Sequence, residues 1–197
     1  MAKVYILMGK SATGKDTVHR RLLELSRGRL RTVIPYTTRP RRDGEAEGRD
    51  YHFITDEEAD RLAAEGLVIE ERCYQTVHGP WRYLTVNDGQ IDLSSEEDAL
   101  LIGTLESFVK IRAYFGEEAV VPLYLYVSDH ERLMRAVRRE ETQAVPRYAE
   151  LCRRFLADEE DFSEEKLQSA GVTERYDNTD SKTRAAALWE AIRTGCL

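Results

Sequence analysis

One stretch decides the fold of this chain: Gly9-Lys10-Ser11-Ala12-Thr13-Gly14-Lys15-Asp16-Thr17. It follows the apolar residues 4–8, whose length is typical of a buried strand, and it precedes residues 18–25, whose apolar spacing predicts a helix. Glycine between a strand and a helix lets the backbone adopt positive φ and direct N–H groups at an anion, and the helix adds its positive end. The stretch therefore predicts a phosphate-binding loop in which the Lys15 ammonium reaches the outer phosphates.

This loop departs from the pattern G-x-x-x-x-G-K-S/T at its last position. Asp16 replaces the usual hydroxyl residue, and the hydroxyl of Thr17 follows one residue later. A carboxylate can bind Mg²⁺ directly, so we predict that Asp16 and Thr17 hold a magnesium ion together with phosphate oxygens. The predicted phosphate-binding residues of the loop are Gly9, Ser11, Ala12, Thr13, Gly14, Lys15, Asp16 and Thr17.

The composition bounds the size and the partners of the protein. With 197 residues, of which 42% are hydrophobic, the chain can bury one core and has room for a small inserted subdomain. The net charge of −7 provides no overall basic field for nucleic acid or a membrane. Neither a signal-peptide pattern nor an apolar span of about twenty residues is present, so we expect a soluble, cytosolic protein. The three cysteines are widely separated, which indicates neither a disulfide framework nor a zinc site.

A second informative stretch is rich in arginine: Thr37-Thr38-Arg39-Pro40-Arg41-Arg42-Asp43-Gly44-Glu45. Residues 48–54 follow it and include Tyr51. Guanidinium groups bind phosphate through paired N–H donors, and a tyrosine hydroxyl adds another donor. The stretch is therefore either a second phosphate site or a solvated basic loop.

These residues resemble the guanylate kinase family, whose members transfer a phosphoryl group from ATP to GMP. The resemblance rests on T-T-R-x-x-R-x-G-E followed by G-x-D-Y-x-F, downstream of a phosphate-binding loop. It runs from the first strand to the last helix and is dense only in the first half. It implies that Arg39, Arg42 and Tyr51 hold the acceptor phosphate, that Mg²⁺ accompanies ATP, and that the acceptor is GMP or dGMP.

The same resemblance implies a site for the guanine base. Glu70, at the end of an apolar run, matches the family glutamate that accepts hydrogen bonds from the guanine N–H groups. Tyr83 and Thr85 match the family's tyrosine and its base-contacting hydroxyl, although Leu84 replaces a glycine between them. We therefore expect Glu70, Tyr83 and Thr85 to bind the acceptor.

The largest departure from the family lies on the predicted strand 99–103. The family carries I-L-D-x-D there, with one aspartate near magnesium and another near the nucleotide. This chain has Ile102 and Thr104 at those two positions, and Thr104 remains a substrate-binding candidate. We interpret the exchange as a relocation of the acidic metal contact from the strand to Asp16.

An arginine-bearing hairpin around residues 136–148 is predicted to form a lid over the phosphates. The family's signatures point to Arg135, Arg139 and Arg154, which we expect to act with Lys15 on the transferring phosphoryl group. Other arginines on these helices are expected to pair with surface carboxylates. Asn178 lies in the loop where the family contacts adenine.

Strands and helices alternate along most of the chain, which predicts an α/β fold of the phosphate-loop NTPase type. We expect a parallel sheet of about five strands with helices on both faces. The core would comprise residues 1–36, 89–135 and 149–197, with an acceptor-binding subdomain at 37–88 and the lid at 136–148. In detail we predict a strand at 67–71, a helix capped by Asp56, one long helix from about 147 to 167, and a final helix capped by Ser181.

The predicted reaction is in-line transfer of the γ-phosphoryl group of Mg²⁺·ATP to GMP. Two alternatives remain. Ribose 1,5-bisphosphate phosphokinases share a G-K-D loop and carry N-G-S where this chain has Ile102-Gly103-Thr104, whereas Arg42, Tyr51 and Glu70 favour GMP. Guanylate kinase-like domains that have lost catalysis act as binding modules, but Lys15 and the glycine loop argue for an enzyme.

Overall fold

The computed structural model describes residues 1–42, 44–76 and 79–197. Its strands are β1 (Val4–Met8), β2 (Leu30–Thr32), β3 (Tyr36–Thr37), β4 (His52–Phe53), β5 (Val68–Thr76), β6 (Gly79–Val86), β7 (Asp98–Ile102), β8 (Val120–Tyr126) and β9 (Tyr176–Asp177). Its helices are α1 (Lys15–Ser26), α2 (Asp56–Ala64), α3 (Leu105–Phe115), α4 (Asp129–Glu141), α5 (Tyr148–Asp161), α6 (Glu164–Ser169) and α7 (Ser181–Thr194).

The main sheet has the strand order β2-β7-β1-β8-β9, and all of its neighbouring strands are parallel. Strand β1 lies in the centre, and all five of its residues are buried. Both faces are covered, one by α1 and α7 through Leu22 and Leu188, the other by α3 through Phe108. This confirms the predicted five-stranded parallel sheet with helices on both faces. The apolar run that precedes the phosphate-binding loop is the middle of the core.

A second sheet, in the order β4-β3-β6-β5, is built from residues between 36 and 86. In the antiparallel pair of β5 and β6, Glu70 lies opposite Thr85 and Arg72 opposite Tyr83. Successive side chains of a strand point to opposite faces, so these four share one polar face. The other face carries Leu84, and the cluster of Leu84, Val86 and Ala59 packs α2 against it. The sheet therefore carries a largely buried polar face inside the predicted acceptor-binding region.

Strand β5 forms one edge of this second sheet. Helix α3 packs against it. The Lys110 ammonium on α3 donates to the backbone carbonyl of Glu71 at 2.6 Å and to the Glu106 carboxylate, also at 2.6 Å. The edge of β5 is therefore covered by a helix of the main layer.

Several local predictions need correction. The strand predicted at 67–71 continues to Thr76, because β6 pairs with it along its whole length. The helix predicted from 147 to 167 is two helices, since Phe162 turns its buried ring into the core and Ser163 starts a new helix by accepting from the Lys166 N–H group.

Two predicted helix caps also lie one residue too late. Helix α2 is capped by Thr55, which forms a reciprocal capping box with Glu58, so Asp56 is already helical. Helix α7 is capped by the Asp180 carboxylate, which accepts from the Lys182 N–H group, rather than by Ser181. In both cases the polar residue before the predicted cap is the one with extended backbone.

The predicted lid region spans the end of α4, the connection 142–147 and the start of α5. The connection is exposed throughout. In the described part of the chain, no helix is both long and apolar enough to cross a membrane.

Candidate active site

The phosphate-binding loop, residues 9–17, has the backbone conformation that its glycines predict. Gly9 and Gly14 have φ of 153° and 88°, and Ala12 between them has φ of 63°. A Cβ atom on Gly9 would lie 2.5 Å from the Leu125 carbonyl oxygen, and one on Gly14 would lie 2.7 Å from Nδ2 of Asn178. The loop is therefore wound too tightly against its neighbours to accept a side chain at either glycine.

Lys15 folds back over this loop. Its ammonium donates to the carbonyl oxygens of Gly9 and Lys10 at 2.6 and 3.0 Å. Burial lowers the pKa of Lys15 to about 8, and the carboxylates of Asp158 and Asp16 oppose that shift. The lysine is thus held at the loop as a partly desolvated cation, the form that gains most from an arriving phosphate.

Asp16 lies in the first turn of α1 and is exposed. The cap of α1 is Gly14, and no side chain caps the helix. The Asp16 carboxylate makes no hydrogen bond or ion pair with the described residues, which leaves its oxygens available. Within the described ranges no three acidic, His or Cys side chains cluster as metal ligands. Mg²⁺ uses one or two carboxylates with phosphate oxygens and water, so the donor set of Asp16 and Thr17 fits this ion.

The outer end of the loop is tied to α5 by carboxylates. The backbone N–H group of Ser11 donates to Asp158 Oδ2 at 2.8 Å, and the Lys10 ammonium lies 2.5 Å from Glu159 Oε2. In each contact a carboxylate occupies an N–H donor of the loop that could otherwise bind a phosphate. Neither Asp158 nor Glu159 was among the residues predicted for the site.

Arg132 on α4 joins these groups and was also missed as a site residue. Its side chain is 1% exposed and stacks over the Phe155 ring at 4.4 Å. Its guanidinium pairs with three carboxylates and also donates to the Ser11 carbonyl oxygen at 3.3 Å. The three carboxylates belong to Asp129, Asp158 and Glu159. Arg132 therefore fixes the phosphate-binding loop to both helices that flank the predicted lid.

The three predicted lid arginines have different surroundings. Arg135 pairs with Glu131 and donates to the carbonyl oxygens of Asn178 and Thr179, which brings it next to Gly14. Arg139 is exposed. Burial is the largest cause that lowers the pKa of Lys15, and the positive charges of Arg132 and Arg139 lower it further. Arg154 lies 3.3 Å from Glu150 on its own helix. The structure thus brings Arg135 beside the loop at Gly14, whereas Arg154 forms an ion pair with Glu150 on α5 and its Nε has no hydrogen-bond partner among the described residues.

Asn178 is fully buried beneath the loop. Its Nδ2 donates to the Thr13 carbonyl oxygen at 2.6 Å, and its Oδ1 has no hydrogen-bond partner among the described residues. We predicted an adenine contact at this position. What the side chain does in this structure is support the backbone of the phosphate-binding loop.

The arginine loop comprises residues 37–45, of which Asp43 lies outside the described residues. Its guanidinium groups differ, because one has partners within the structure and another is available to a ligand. Arg39 is buried, donates to both oxygens of Glu45 at 2.9 Å, and donates through Nε to the Tyr83 hydroxyl at 3.1 Å. Arg42 is exposed, and its guanidinium makes no hydrogen bond or ion pair with described residues. Of the predicted pair, Arg42 is therefore the available one.

Tyr51 is the third predicted phosphate ligand. Its ring lies 5.1 Å from the guanidinium carbon of Arg39 and 5.8 Å from the Tyr83 ring. Burial raises the pKa of Tyr51, so its hydroxyl stays protonated and able to donate. That hydroxyl has no hydrogen-bond partner in the described part of the chain.

The predicted guanine site contains an unforeseen partner. The side chain of Glu70 is 0% exposed, and its two oxygens accept from Arg72 at 3.0 and 3.2 Å. The Thr85 hydroxyl donates to the same carboxylate at 2.8 Å. Arg72 also reaches Thr104, whose hydroxyl lies 3.4 Å from Nη1 and caps α3. The structure brings Glu70, Thr85 and Thr104 together through Arg72, and their contact with the acceptor stays a prediction. An arginine two residues after a glutamate on one strand shares its face, which is the signal that could have revealed the pair.

The fold and the glycine loop together define an α/β protein with a phosphate-binding loop at the end of its central strand. Residues 1–79 match the family model described as guanylate kinase. The first 79 residues of the chain are thus similar to guanylate kinases, in agreement with the resemblance seen in its sequence.

Individual relatives bear the same name and match in part. The chain is 26% identical over 140 residues to guanylate kinase 2, chloroplastic/mitochondrial, of Oryza sativa subsp. japonica, covering 71% of this chain and 47% of that protein. It is 41% identical over 86 residues to a guanylate kinase of Neisseria gonorrhoeae, covering 44% of this chain and 40% of that protein. The matches span less than half the length of these curated relatives. A solved guanylate kinase of Anaplasma phagocytophilum superposes with a TM-score of 0.71 at 22% identity, covering 98% of this chain and 86% of that one, and shares its fold.

Proposed function

We propose that this protein transfers the γ-phosphoryl group of ATP to the phosphate of a small phosphorylated acceptor. The observation that carries the proposal is the phosphate-binding loop with Lys15 held at its rim by the carbonyl oxygens of Gly9 and Lys10. The available donors of Arg42 and Tyr51, on the second sheet, support a separate site for the acceptor phosphate.

In this mechanism no side chain forms a covalent bond with phosphorus, and catalysis consists of positioning and charge neutralisation. Lys15 and the N–H groups of the loop bind the outer phosphates of ATP. Arg139 approaches with the lid and neutralises charge on the transferring group, while Arg135 holds the backbone of residues 178 and 179 beside Gly14. Asp16 and Thr17 would hold a Mg²⁺ ion, which would supply positive charge at the phosphates.

GMP is the acceptor that the names of the relatives indicate, with dGMP as its close analogue. The support for GMP is the match of Arg42, Tyr51 and Glu70 to the family's positions. Glu70 would need its carboxylate free to accept from guanine, and Arg72 now occupies both of its oxygens. The acceptor phosphate is therefore better supported than the base.

A coupled assay for ADP formation tests the proposal, with ATP, Mg²⁺ and a panel of phosphorylated acceptors including GMP, dGMP, AMP, UMP and ribose 1,5-bisphosphate. We expect ADP formation that depends on one acceptor and is lost in Lys15→Met. Lys166→Met, at an exposed position on α6, is the control and should keep full activity. ATP binding without turnover of any acceptor would instead favour the binding-module alternative.

A further inference from the structure

The end of the proposed acceptor site that lies away from the arginine loop contains Glu70, Arg72 and Thr85 and is called the far end here. Its assignment to the acceptor rests on the proposed function. Tyr83 connects the two ends, because its ring contacts the rings of both Tyr51 and Tyr74, at 5.8 and 5.6 Å. Arg72 lies directly opposite Tyr83 on the paired strand. Arg72 is thus part of the same polar face as the predicted phosphate ligand Tyr51.

Glu70 is not accessible at this far end. A carboxylate offers about four acceptor positions, and three hydrogen bonds already use the Glu70 oxygens. Two of them come from the fork of Arg72, the same paired arrangement that guanine N–H groups would need. With its side chain 0% exposed, Glu70 can receive guanine only if Arg72 leaves.

Arg72 is the group that this end can offer to a ligand. Its side chain is 12% exposed. Of its five N–H donors two serve Glu70, and the bond from Nη1 to Thr104 is long at 3.4 Å. The remaining donors are one on Nη2 and two on Nη1, and one of the latter makes the long contact with Thr104. The far end therefore donates hydrogen bonds where a bare glutamate would accept them.

We propose that Arg72, rather than Glu70, contacts the far end of the acceptor, so that the preferred acceptor carries an anionic oxygen group there in place of the N–H edge of guanine. Glu70 then acts as a positioning residue that orients the Arg72 fork from below, with Thr85 fixing the carboxylate in turn. Carboxylate and phosphate are the two groups whose paired oxygens match a guanidinium fork.

Binding measurements on Arg72→Ala test this proposal directly. Calorimetric titrations use GMP, orotidine 5′-monophosphate and ribose 1,5-bisphosphate, with and without a non-hydrolysable ATP analogue and Mg²⁺. The second ligand presents a carboxylate at its far end and the third a phosphate, so they separate the two anionic groups. For wild type we expect one anionic ligand to bind at least about tenfold more tightly than GMP. For Arg72→Ala we expect the order to reverse, because the exposed Glu70 carboxylate becomes available to guanine.

The controls separate this effect from general damage. Arg82→Ala removes an arginine–glutamate ion pair comparable to that of Arg72 and Glu70, but on the opposite face of the same two strands. Arg82 donates there to both oxygens of Glu71 at 2.6 and 3.1 Å. That variant should keep the wild-type order of ligands. Arg72→Gln keeps a donor toward Glu70 and replaces Arg72→Ala if thermal melting shows that the alanine variant is unfolded. The double variant Arg72→Ala, Glu70→Gln should lose the gained GMP affinity.

Three results would overturn the proposal. They are GMP binding to wild type at least as tightly as both anionic ligands, GMP binding to Arg72→Ala no better than to wild type, and a change of ligand order in Arg82→Ala like that in Arg72→Ala. The titrations without ATP analogue report on Arg72 even if the protein fails to bind ATP. Failure to bind the ATP analogue would contradict the proposed kinase function alone.

Discussion

Among single residues, Asp16 carries the prediction about magnesium. Asparagine has nearly the same shape but no charge, and no cap is lost because the Asp16 side chain caps nothing in α1. Asp16→Asn should therefore melt like wild type, require a much higher Mg²⁺ concentration for half-maximal rate, and have a lower kcat. Glu24→Gln, which removes an exposed charge near the other end of α1, should leave the Mg²⁺ titration unchanged. A wild-type Mg²⁺ requirement in Asp16→Asn would place the metal contact elsewhere.

Arg42 and Tyr51 carry the prediction about the acceptor phosphate. Both have donors without partners in the described structure, so their removal costs ligand contacts and few internal ones. Arg42→Ala and Tyr51→Phe should each cost roughly 1.5–3 kcal/mol of binding free energy for the acceptor. The KM for the acceptor should rise accordingly, with the KM for ATP nearly unchanged. Arg49→Ala, at an exposed position paired with Asp50, serves as the control for loop charge. Equal loss of ATP and acceptor binding would show that these side chains do not hold the acceptor.

Lys15 predicts how ATP binding depends on pH. Burial lowers its pKa to about 8, so the ammonium loses its proton as the pH rises above that value. The Kd for ATP should then increase by up to about tenfold per pH unit above 8. The folded-state pKa lies below the unfolded one, so the unfolded chain holds more protons between about 8 and 10.5, and stability contributed by Lys15 rises with pH across that window. Weaker ATP binding in this pH window therefore does not result from a loss of stability caused by deprotonation of Lys15.

Titrations of ATP from pH 7 to 9.5 provide the measurement. Lys15→Arg is the comparison, because a guanidinium stays charged throughout and its pH profile should be flat even if its affinity is lower. A wild-type Kd that stays constant over this range would mean that Lys15 keeps its proton with no ligand bound.

The residues that the sequence did and did not predict differ in what makes them recognisable. Lys15, Gly9 and Gly14 follow from local spacing, since a loop between a strand and a helix needs them at fixed positions. Arg72 pairs with Glu70, two residues before it, a spacing that the sequence shows, whereas Arg132 acts through partners that lie far away in the chain, such as Asp158. A single sequence does not place such partners beside one another.

At the level of helices and strands, Arg132 is the link that joins α4 and α5 to the phosphate-binding loop. It is nearly fully buried and satisfies carboxylates on both helices. Arg132→Ala should lower the free energy of unfolding by about 3 kcal/mol, because it leaves carboxylates without their cation. Chemical denaturation measures this, and Arg138→Ala on the exposed side of α4 should change it by less than about 0.5 kcal/mol. Similar losses in both variants would show that the Arg132 ion pairs do not stabilise this junction.

The ends of these helices and strands are not predicted by the sequence pattern alone. The amphipathic pattern of residues 147–167 continues through Phe162, so the sequence predicts one helix, but the buried packing of that ring ends α5 and Ser163 begins α6. Strand β5 is longer than its apolar start suggests, because its polar second half pairs with β6. Local pattern identified each element, and tertiary contacts set its length.

For the whole molecule, the centre of the main sheet was predictable because β7, β1 and β8 are short, mostly apolar runs, each followed by a helix. The second sheet was not predictable in detail, since β3 and β4 have only two residues each and take their place from pairing with distant segments. Whether residues 37–88 bind the acceptor stays a prediction, as does the closure of the lid at 136–148.

The covered edge of β5 has a consequence for self-association. A nine-residue edge strand with unpaired backbone groups is a template on which a second chain could add its own strand. Here α3 lies against that edge, and Lys110 places a positive charge on the carbonyl oxygen of Glu71. The edge strands β2, β4 and β9 are only two or three residues long. The protein thus carries an extended two-stranded ribbon without offering its backbone to edge-to-edge aggregation.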